Sequence, residues 1–232
     1  MCGYPHRGLD TPRTQKVVGY IGEADSPTGG TLTARIGARA RPDTGKLIVE
    51  LEPERTIVIA SATTSAAADL HFAIGQCSLG SVLVARGERG VRAILLGNDS
   101  ASVIRELEQR FPEAILVRRD EDLAQSLSQV IGLVETPGQT LDLLLDLRGT
   151  SFQQRVWEAL REIPSGSTAT YTQVASRIGA PKSARAVAQA CASNALALVV
   201  PCHRVVRGDG SLAGYRWGVE RKRILLEREA AK

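Results

Sequence analysis

The apolar residues of this chain change their repeat near residue 149, and that change limits the folds open to it. Upstream, Phe72 to Cys77, Ser81 to Ala85 and Val91 to Leu96 are short apolar runs punctuated by Gly80 and by Arg86-Gly87-Glu88-Arg89-Gly90. Runs of that length between glycine turns read as an antiparallel meander. Downstream, Phe152, Val156, Ala159, Leu160 and Ile163 recur every three or four residues, the stripe of a helix with one buried face. The order predicts an α+β protein. A small antiparallel-sheet domain with flanking helices (71–148) precedes a mostly helical domain (149–232).

The rest of the first domain reads in the same way. Val103, Ile104, Leu107 and Phe111 stand at helical spacing over Ser100 to Arg110, closed by Pro112. A second helix is expected from about Glu121 to Glu135, burying Leu123, Leu127, Val130, Ile131 and Val134. Thr140 to Leu147 then reads as a largely buried strand, and Cys77 as a core residue. Residues 1–70 are less defined. Met1 to about Lys46 is rich in Gly, Pro, Thr and Arg and reads as loop. Lys46–Leu51 and Thr56–Ala60 read as short strands, and Ala62–Ala68 as a linker.

In the second domain, Thr150-Ser151-Phe152-Gln153 carries a capping pattern ahead of the first helix. Tyr171 to Ile178 is a short helix stopped by Gly179, and a longer one follows from about Ser183 to Ala192. Helix, glycine turn, helix is the helix-turn-helix pattern. Its second helix alternates Ala184, Ala186, Ala188, Ala190 and Ala192 with Arg185, Gln189 and Cys191. Such a helix either fits a narrow minor groove with Arg185 projecting, or packs closely into the core with Arg185 solvated. Val219 to Ala230 reads as a terminal helix with Ile224, Leu225 and Leu226 inward and Glu229 as a surface charge.

Chemistry gathers at Val199-Val200-Pro201-Cys202-His203-Arg204-Val205-Val206. A thiol attacks as thiolate, and a nearby imidazole or positive field helps it to ionise. Neighbours on an extended segment point opposite ways, so Cys202 and His203 are expected to communicate through a water. Gly214-Tyr215-Arg216-Trp217-Gly218 is an aromatic loop suited either to wall a flat pocket or to shield a core edge. Of the four cysteines, Cys2, Cys77, Cys191 and Cys202, none has a paired spacing. That argues against a disulfide scaffold or a thiolate zinc site and favours a reducing cytosol. Cys2 and His6 are too few ligands for a metal. A net charge of +4 permits a polyanionic partner. With no apolar run near the ~20 residues of a membrane span and no secretion-signal order at the N-terminus, a soluble cytoplasmic protein is expected.

The Pro201-Cys202-His203-Arg204-Val205 motif, Tyr171 opening a helix, Arg185-Ala186-Val187, Asn194 and Glu229 together resemble the O6-alkylguanine-DNA alkyltransferases. The carboxy-terminal half of the bacterial adaptive-response (Ada) protein is among them. The likeness covers about residues 71 to 232. It implies a ribonuclease-H-like first domain and a winged-helix-like second one. Cys202 would be the acceptor thiolate, with His203 as its base through a water and Glu229 orienting the imidazole. Tyr171 would donate to the departing guanine and press on the adjacent phosphate. Arg185 would take the place of an extruded nucleotide, beside Ala184 and Gln189 on the DNA-facing helix. Asn194, Pro201, Val205, Tyr215, Arg216, Trp217 and Gly218 would surround the base, although Arg216 stands where some members carry a small hydroxyl residue. The full Ada protein also has a four-cysteine zinc domain and a regulatory DNA-binding domain. Residues 1–70 show neither, so zinc binding and transcriptional activation are not carried over.

The implied reaction is a single, irreversible transfer of an alkyl group from O6-alkylguanine in double-stranded DNA to Cys202. O4-alkylthymine stands as a further candidate substrate. The expected protein is a monomer that needs no cofactor and no metal. Two rivals stand beside it. A cysteine hydrolase would use the same pair but turn over, and a DNA-binding regulator would do no chemistry.

Overall fold

In a computed structural model of the chain, the described residues are 36–40, 46–51, 56–61, 69–139, 141–212 and 214–231, with side chains described from residue 69 onward. Seven strands make one sheet: β1 (Ile36–Ala40), β2 (Lys46–Leu51), β3 (Thr56–Ser61), β4 (Asp69–Cys77), β5 (Gly80–Gly87), β6 (Gly90–Gly97) and β7 (Ile115–Arg118). Their order is β1-β2-β3-β7-β4-β5-β6. The expected meander is β4-β5-β6, antiparallel throughout. The sheet as a whole is mixed, because β7 lies parallel to β4. Helices α1 (Ser100–Arg110) and α2 (Ala124–Glu135) pack on it, α1 against β5 and β6 and α2 against β4 and β5. The Asp99 carboxylate caps α1 by accepting from the Ser102 amide, which satisfies one of the orphan donors of the first turn.

Three expectations for this half are corrected. Ile36–Ala40 is a strand rather than loop, and β1–β3 extend the sheet through Val58↔Val117 and Ile59↔Leu116. Strand β7 was not foreseen, since Ile115-Leu116-Val117 is too short a run to announce itself between a helix end and a charged stretch. Thr140 to Leu147 is not a buried strand. Leu145 makes a single bridge to Val91, and Leu144 is 72% exposed. The buried residue of that stretch is Asp146, ion-paired with Arg148 at 2.8 Å and Arg89 at 3.4 Å. Gly90 makes this docking possible, because a Cβ there would collide with the Leu144 carbonyl. Helix α2 begins three residues later than expected, after Leu123. Residues 1–35 and 62–68, expected as loop and linker, lie outside the described residues, with Cys2 and His6.

In the second half, α3 (Ser151–Arg161) starts in the expected capping box, with Thr150 Oγ1 accepting from the Gln153 amide and Gln153 Oε1 from the Thr150 amide. A second such box, Thr170 with Gln173, starts α4 (Tyr171–Arg177) directly after the short strand β8 (Ala169–Thr170). The α5 helix (Ala184–Ser193) buries Val187, Ala190 and Cys191, and Trp157 of α3 donates its Nε1–H to the Ala190 carbonyl at 2.9 Å. Small residues on α5 allow that close approach. Strand β9 (Val205–Val206) lies parallel to β8, and α6 spans Val219–Ala230 as expected.

One hydrophobic core runs through both halves. The outer edge of β6 joins them: Ile94 donates to the Ala195 carbonyl at 2.8 Å and accepts from the Ala197 amide at 3.0 Å. The segment that leads to Cys202 is thereby hydrogen-bonded to the sheet.

Among the described residues, strands β1–β3 pair with the rest of the sheet at Val58↔Val117 and Ile59↔Leu116. Backbone bonds contribute about 1 kcal/mol each, and for a domain of this size about 1 kcal/mol shifts Tm by roughly 2–4 °C. A chain beginning at Ala68 should therefore unfold cooperatively with Tm lower by about 4–8 °C in a thermal melt. Failure to fold would show β1–β3 to be integral to the sheet.

Candidate active site

Two elements carry the Cys-His pair into the interior. Val200 is buried and its carbonyl accepts from the Cys202 amide at 2.8 Å, while Pro201 accepts from the Arg204 amide at 3.0 Å. Cys202–Arg204 is thus one 3-10 turn, not the extended segment expected. The tight turn brings both functional side chains inward: Cys202 is 5% exposed and His203 1%. Leu198, just upstream, adopts φ 69°, a left-handed conformation uncommon for a branched residue.

Asn194, the C-cap of α5, organises this turn. Its side-chain amide donates to the Val200 carbonyl at 2.9 Å and to Cys202 Sγ at 3.3 Å, and its Oδ1 accepts from the Leu196 amide at 2.8 Å. One buried side chain therefore sets the bend of 194–200 and places a donor on the sulfur. Burial pushes the Cys202 thiol up, and the Asn194 amide and the Lys222 ammonium pull against it. A donor that strengthens with negative charge on sulfur favours the thiolate when it forms.

On the far side of the turn, Glu229 is 5% exposed and not the surface charge expected. Its Oε1 lies 2.9 Å from His203 Nε2, and Arg204 binds both oxygens, with Nε at 3.0 Å from Oε2 and Nη2 at 2.9 Å from Oε1. Burial alone would raise this carboxyl, but the His203 and Arg204 hydrogen bonds outweigh it and hold the group at about 2. The carboxylate is an acceptor only, so His203 Nε2 carries the proton and Nδ1 presents its lone pair. Nδ1 is buried with no protein partner among the described residues. Burial also keeps the imidazole neutral, drawing its pKa down against the pull of Glu229.

Lys222 was missed by sequence reasoning. It is fully buried on α6, and its Nζ donates to the Val205 carbonyl at 2.5 Å. The available signal was its spacing: Lys222, Leu225 and Glu229 are the buried residues of α6 and share one helical face. Arg204, read only as added charge, turns out to be the second anchor of Glu229.

The other expected residues fall into two groups. Tyr215 and Trp217 are buried beside the pair, with Tyr215 edge-on to His203 at 6.3 Å between centroids and to Trp217 at 5.2 Å. Pro201 and Val205 are buried, and Gly218 caps α6 at φ 100°. Arg216 is paired with the first helix. Its Nε donates to Glu106 of α1 at 2.7 Å. Tyr171 is half-buried at the head of α4, and burial lifts its phenol to about 12, so it keeps its proton at neutral pH. Arg185 and Gln189 are exposed on α5 with Ala184 half-buried, while Cys191 faces inward on the same helix. Arg185 is thus solvent-facing above a packed inner face, as both readings of this helix require.

Comparison with known proteins gives this arrangement a setting. Residues 151–231 match the family described as 6-O-methylguanine DNA methyltransferase, DNA binding domain. The chain is 55% identical over 161 residues to the bifunctional transcriptional activator/DNA repair enzyme Ada of Escherichia coli, covering 69% of this chain and 46% of that protein. It thus spans about half the length of that relative. To the methylated-DNA–protein-cysteine methyltransferase of Methanosarcina acetivorans it is 33% identical over 162 residues, 70% of this chain and 99% of the relative. The crystal structure of Mycobacterium tuberculosis OGT in complex with DNA superposes with a TM-score of 0.59 at 34% identity, covering 69% of this chain and 93% of that one. With a relative matched along nearly its whole length, the chain belongs to the methylated-DNA–protein-cysteine methyltransferase family.

Proposed function

We propose that this protein repairs DNA by moving an alkyl group from O6-alkylguanine in a duplex onto Cys202, once per molecule. The observation that carries the reading is the buried relay of a thiol under an amide donor, an imidazole with its Nδ1 lone pair open, and an ionised Glu229 behind it. In the reaction, the Cys202 proton passes through a water to His203 Nδ1, and Glu229 stabilises the imidazolium. The sulfur attacks the alkyl carbon as the carbon–O6 bond breaks, and the electron pair goes to guanine. The Tyr171 hydroxyl donates to the base as it leaves, which its retained proton allows. The products are a thioether and, once the proton taken up by His203 has passed through solvent to the guanine anion, an unmodified guanine. Nothing in the step calls for a metal or a cofactor.

A base inside a duplex cannot present its alkyl group to a buried sulfur, so the nucleotide must leave the stack. The pair α4 and α5 acts as a helix-turn-helix with α5 in the minor groove, and Arg185 fills the vacated stack. The sheet half, residues 71–148, and the DNA-binding half, residues 149–232, work as one monomer in the cytoplasm, and the three strands upstream take no part in the chemistry. The likeness to a DNA-bound relative supports this docking.

Transfer from a radiolabelled O6-methylguanine oligonucleotide tests the reading. The wild-type protein should take up label from duplex and from single strand. Arg185→Ala should slow the duplex reaction by about tenfold or more, since extrusion costs a few kcal/mol, and leave the single-strand reaction nearly unchanged. A wild-type protein that takes up no label contradicts the function, and equal losses on both substrates contradict the role of Arg185.

His203→Gln should slow transfer by about 10²–10⁴-fold, the range of general-base catalysis, with duplex affinity retained. It should also flatten the acid side of the stability curve. A buried imidazole with a lowered pKa contributes stability that is full above its unfolded value of about 6.5 and declines as pH falls below it. Melting from pH 7 to 5 should show a smaller drop in Tm for His203→Gln than for wild type. An unchanged slope would mean that His203 already binds its proton when folded.

A further inference from the structure

Arg216 belongs to the aromatic loop, and its side chain is paired with α1. Glu106 Oε1 accepts from Arg216 Nε at 2.7 Å and from Arg110 Nε at 3.0 Å. Arg110 in turn reaches the carbonyls at the end of α5, with Nη2 2.8 Å from Asn194 O and Nη1 3.2 Å from Ser193 O. The Glu106 and Arg110 side chains are 17% and 12% exposed, so this cluster is well removed from bulk water. One carboxylate of α1 therefore connects two walls of the active site. The first is the loop that carries Tyr215 and Trp217. The second is the Asn194 turn whose side chain holds the sulfur.

We propose that Glu106 is a positioning residue for alkyl transfer, a clasp that sets the gap between the aromatic loop and the Asn194–Cys202 turn and so shapes the slot for the extruded base. The inference rests on the alkyl-transfer reading above. It gives the sheet half a part in recognition, because α1 holds both walls through Glu106 and Arg110, and the Arg110 charge also favours the Cys202 thiolate. The clasp is also electrostatic. Arg110 and Arg216 are two guanidiniums brought to one carboxylate, and the charge of Arg216 works against that of Arg110. Without Glu106 they would face each other unneutralised, and the mobile partner is Arg216, whose side chain is 37% exposed. The loop would then swing outward with its two aromatic rings.

That repulsion separates a clasp from an ordinary stabilising ion pair. Glu106→Gln should lower the second-order rate of transfer from duplex O6-methylguanine by about tenfold, the scale of leaving a partly buried charge unpaired. The loss should fall on the concentration of duplex needed for half-maximal rate, with the limiting rate within about twofold of wild type. Adding Arg216→Ser should remove the repulsion, so the double variant should be faster than Glu106→Gln alone and within about threefold of Arg216→Ser alone. The loop can also be read directly. In a Trp157→Phe background Trp217 is the sole tryptophan, and its quenching by acrylamide should rise in Glu106→Gln and fall back in the double variant. Additive losses in the double variant, a drop confined to the limiting rate, or unchanged Trp217 quenching would overturn the proposal. If the wild-type protein transfers no alkyl group, the reading of function fails, and the quenching comparison still decides whether the clasp exists.

Discussion

A single buried carboxylate holds the helical half together. Glu229 sits near the end of α6 and accepts from His203 on one side and Arg204 on the other. Its Oε2 also lies 3.3 Å from the Gly166 amide, in the turn between α3 and β8. An ionised group this deep needs every lone pair engaged, and leaving its partners unpaired costs about 3–5 kcal/mol. The same contacts that satisfy the charge fix the 3-10 turn, the tautomer of His203 and the seat of α6. Two turns earlier on that face, Lys222 holds the Val205 carbonyl of β9. The terminal helix thus reaches the reactive segment with a cation at one end and an anion at the other.

The sheet contributes through its edge. Among the described residues no further strand lies beyond β6, and its backbone groups bond to the Ala195–Ala197 segment and to Leu144 and Asp146. This covers an edge that would otherwise invite association. It also fixes the stretch between Asn194 and Cys202 against a rigid element, so the amide donor and the sulfur keep their separation. Arg221, which donates to Leu79 O, Asn98 Oδ1 and Trp217 O, anchors the start of α6 to the same sheet. The geometry around Cys202 and the packing of the helices on the sheet are therefore one set of contacts.

How much of this could be read from the sequence follows from the range of each interaction. The β4-β5-β6 meander, α1, α3 and α6 are set by local repeat, glycine turns and capping, and their limits fall within a few residues of expectation. Cys202, His203, Tyr171, Arg185 and Glu229 stood out through motifs that resemble a known family. The charged residues packed around them did not. Lys222, Glu106 and Arg110 look like ordinary helix-surface charges until the tertiary fold brings α6 under β9 and α1 beside the aromatic loop. Glu229 by itself read as solvated, and only its pairing with Arg204 makes its burial tolerable. Thr140–Leu147 misled because its leucines resemble a core strand, while the docking depends on Gly90 and on a buried Asp146 that no periodicity reveals.

The claim at the centre of this account is that sulfur displaces guanine and keeps the alkyl group. A thioether has no electrophilic carbonyl for water to attack, so on this proposal Cys202 is not regenerated. Titrating the protein with a large excess of O6-methylguanine duplex, and mapping the methyl group by peptide mass, tests this most directly. The account predicts that product stops at one equivalent of protein, with the methyl on the peptide containing Cys202 and none on those of Cys77 or Cys191. Continued turnover past one equivalent, or methyl on a different cysteine, would contradict it.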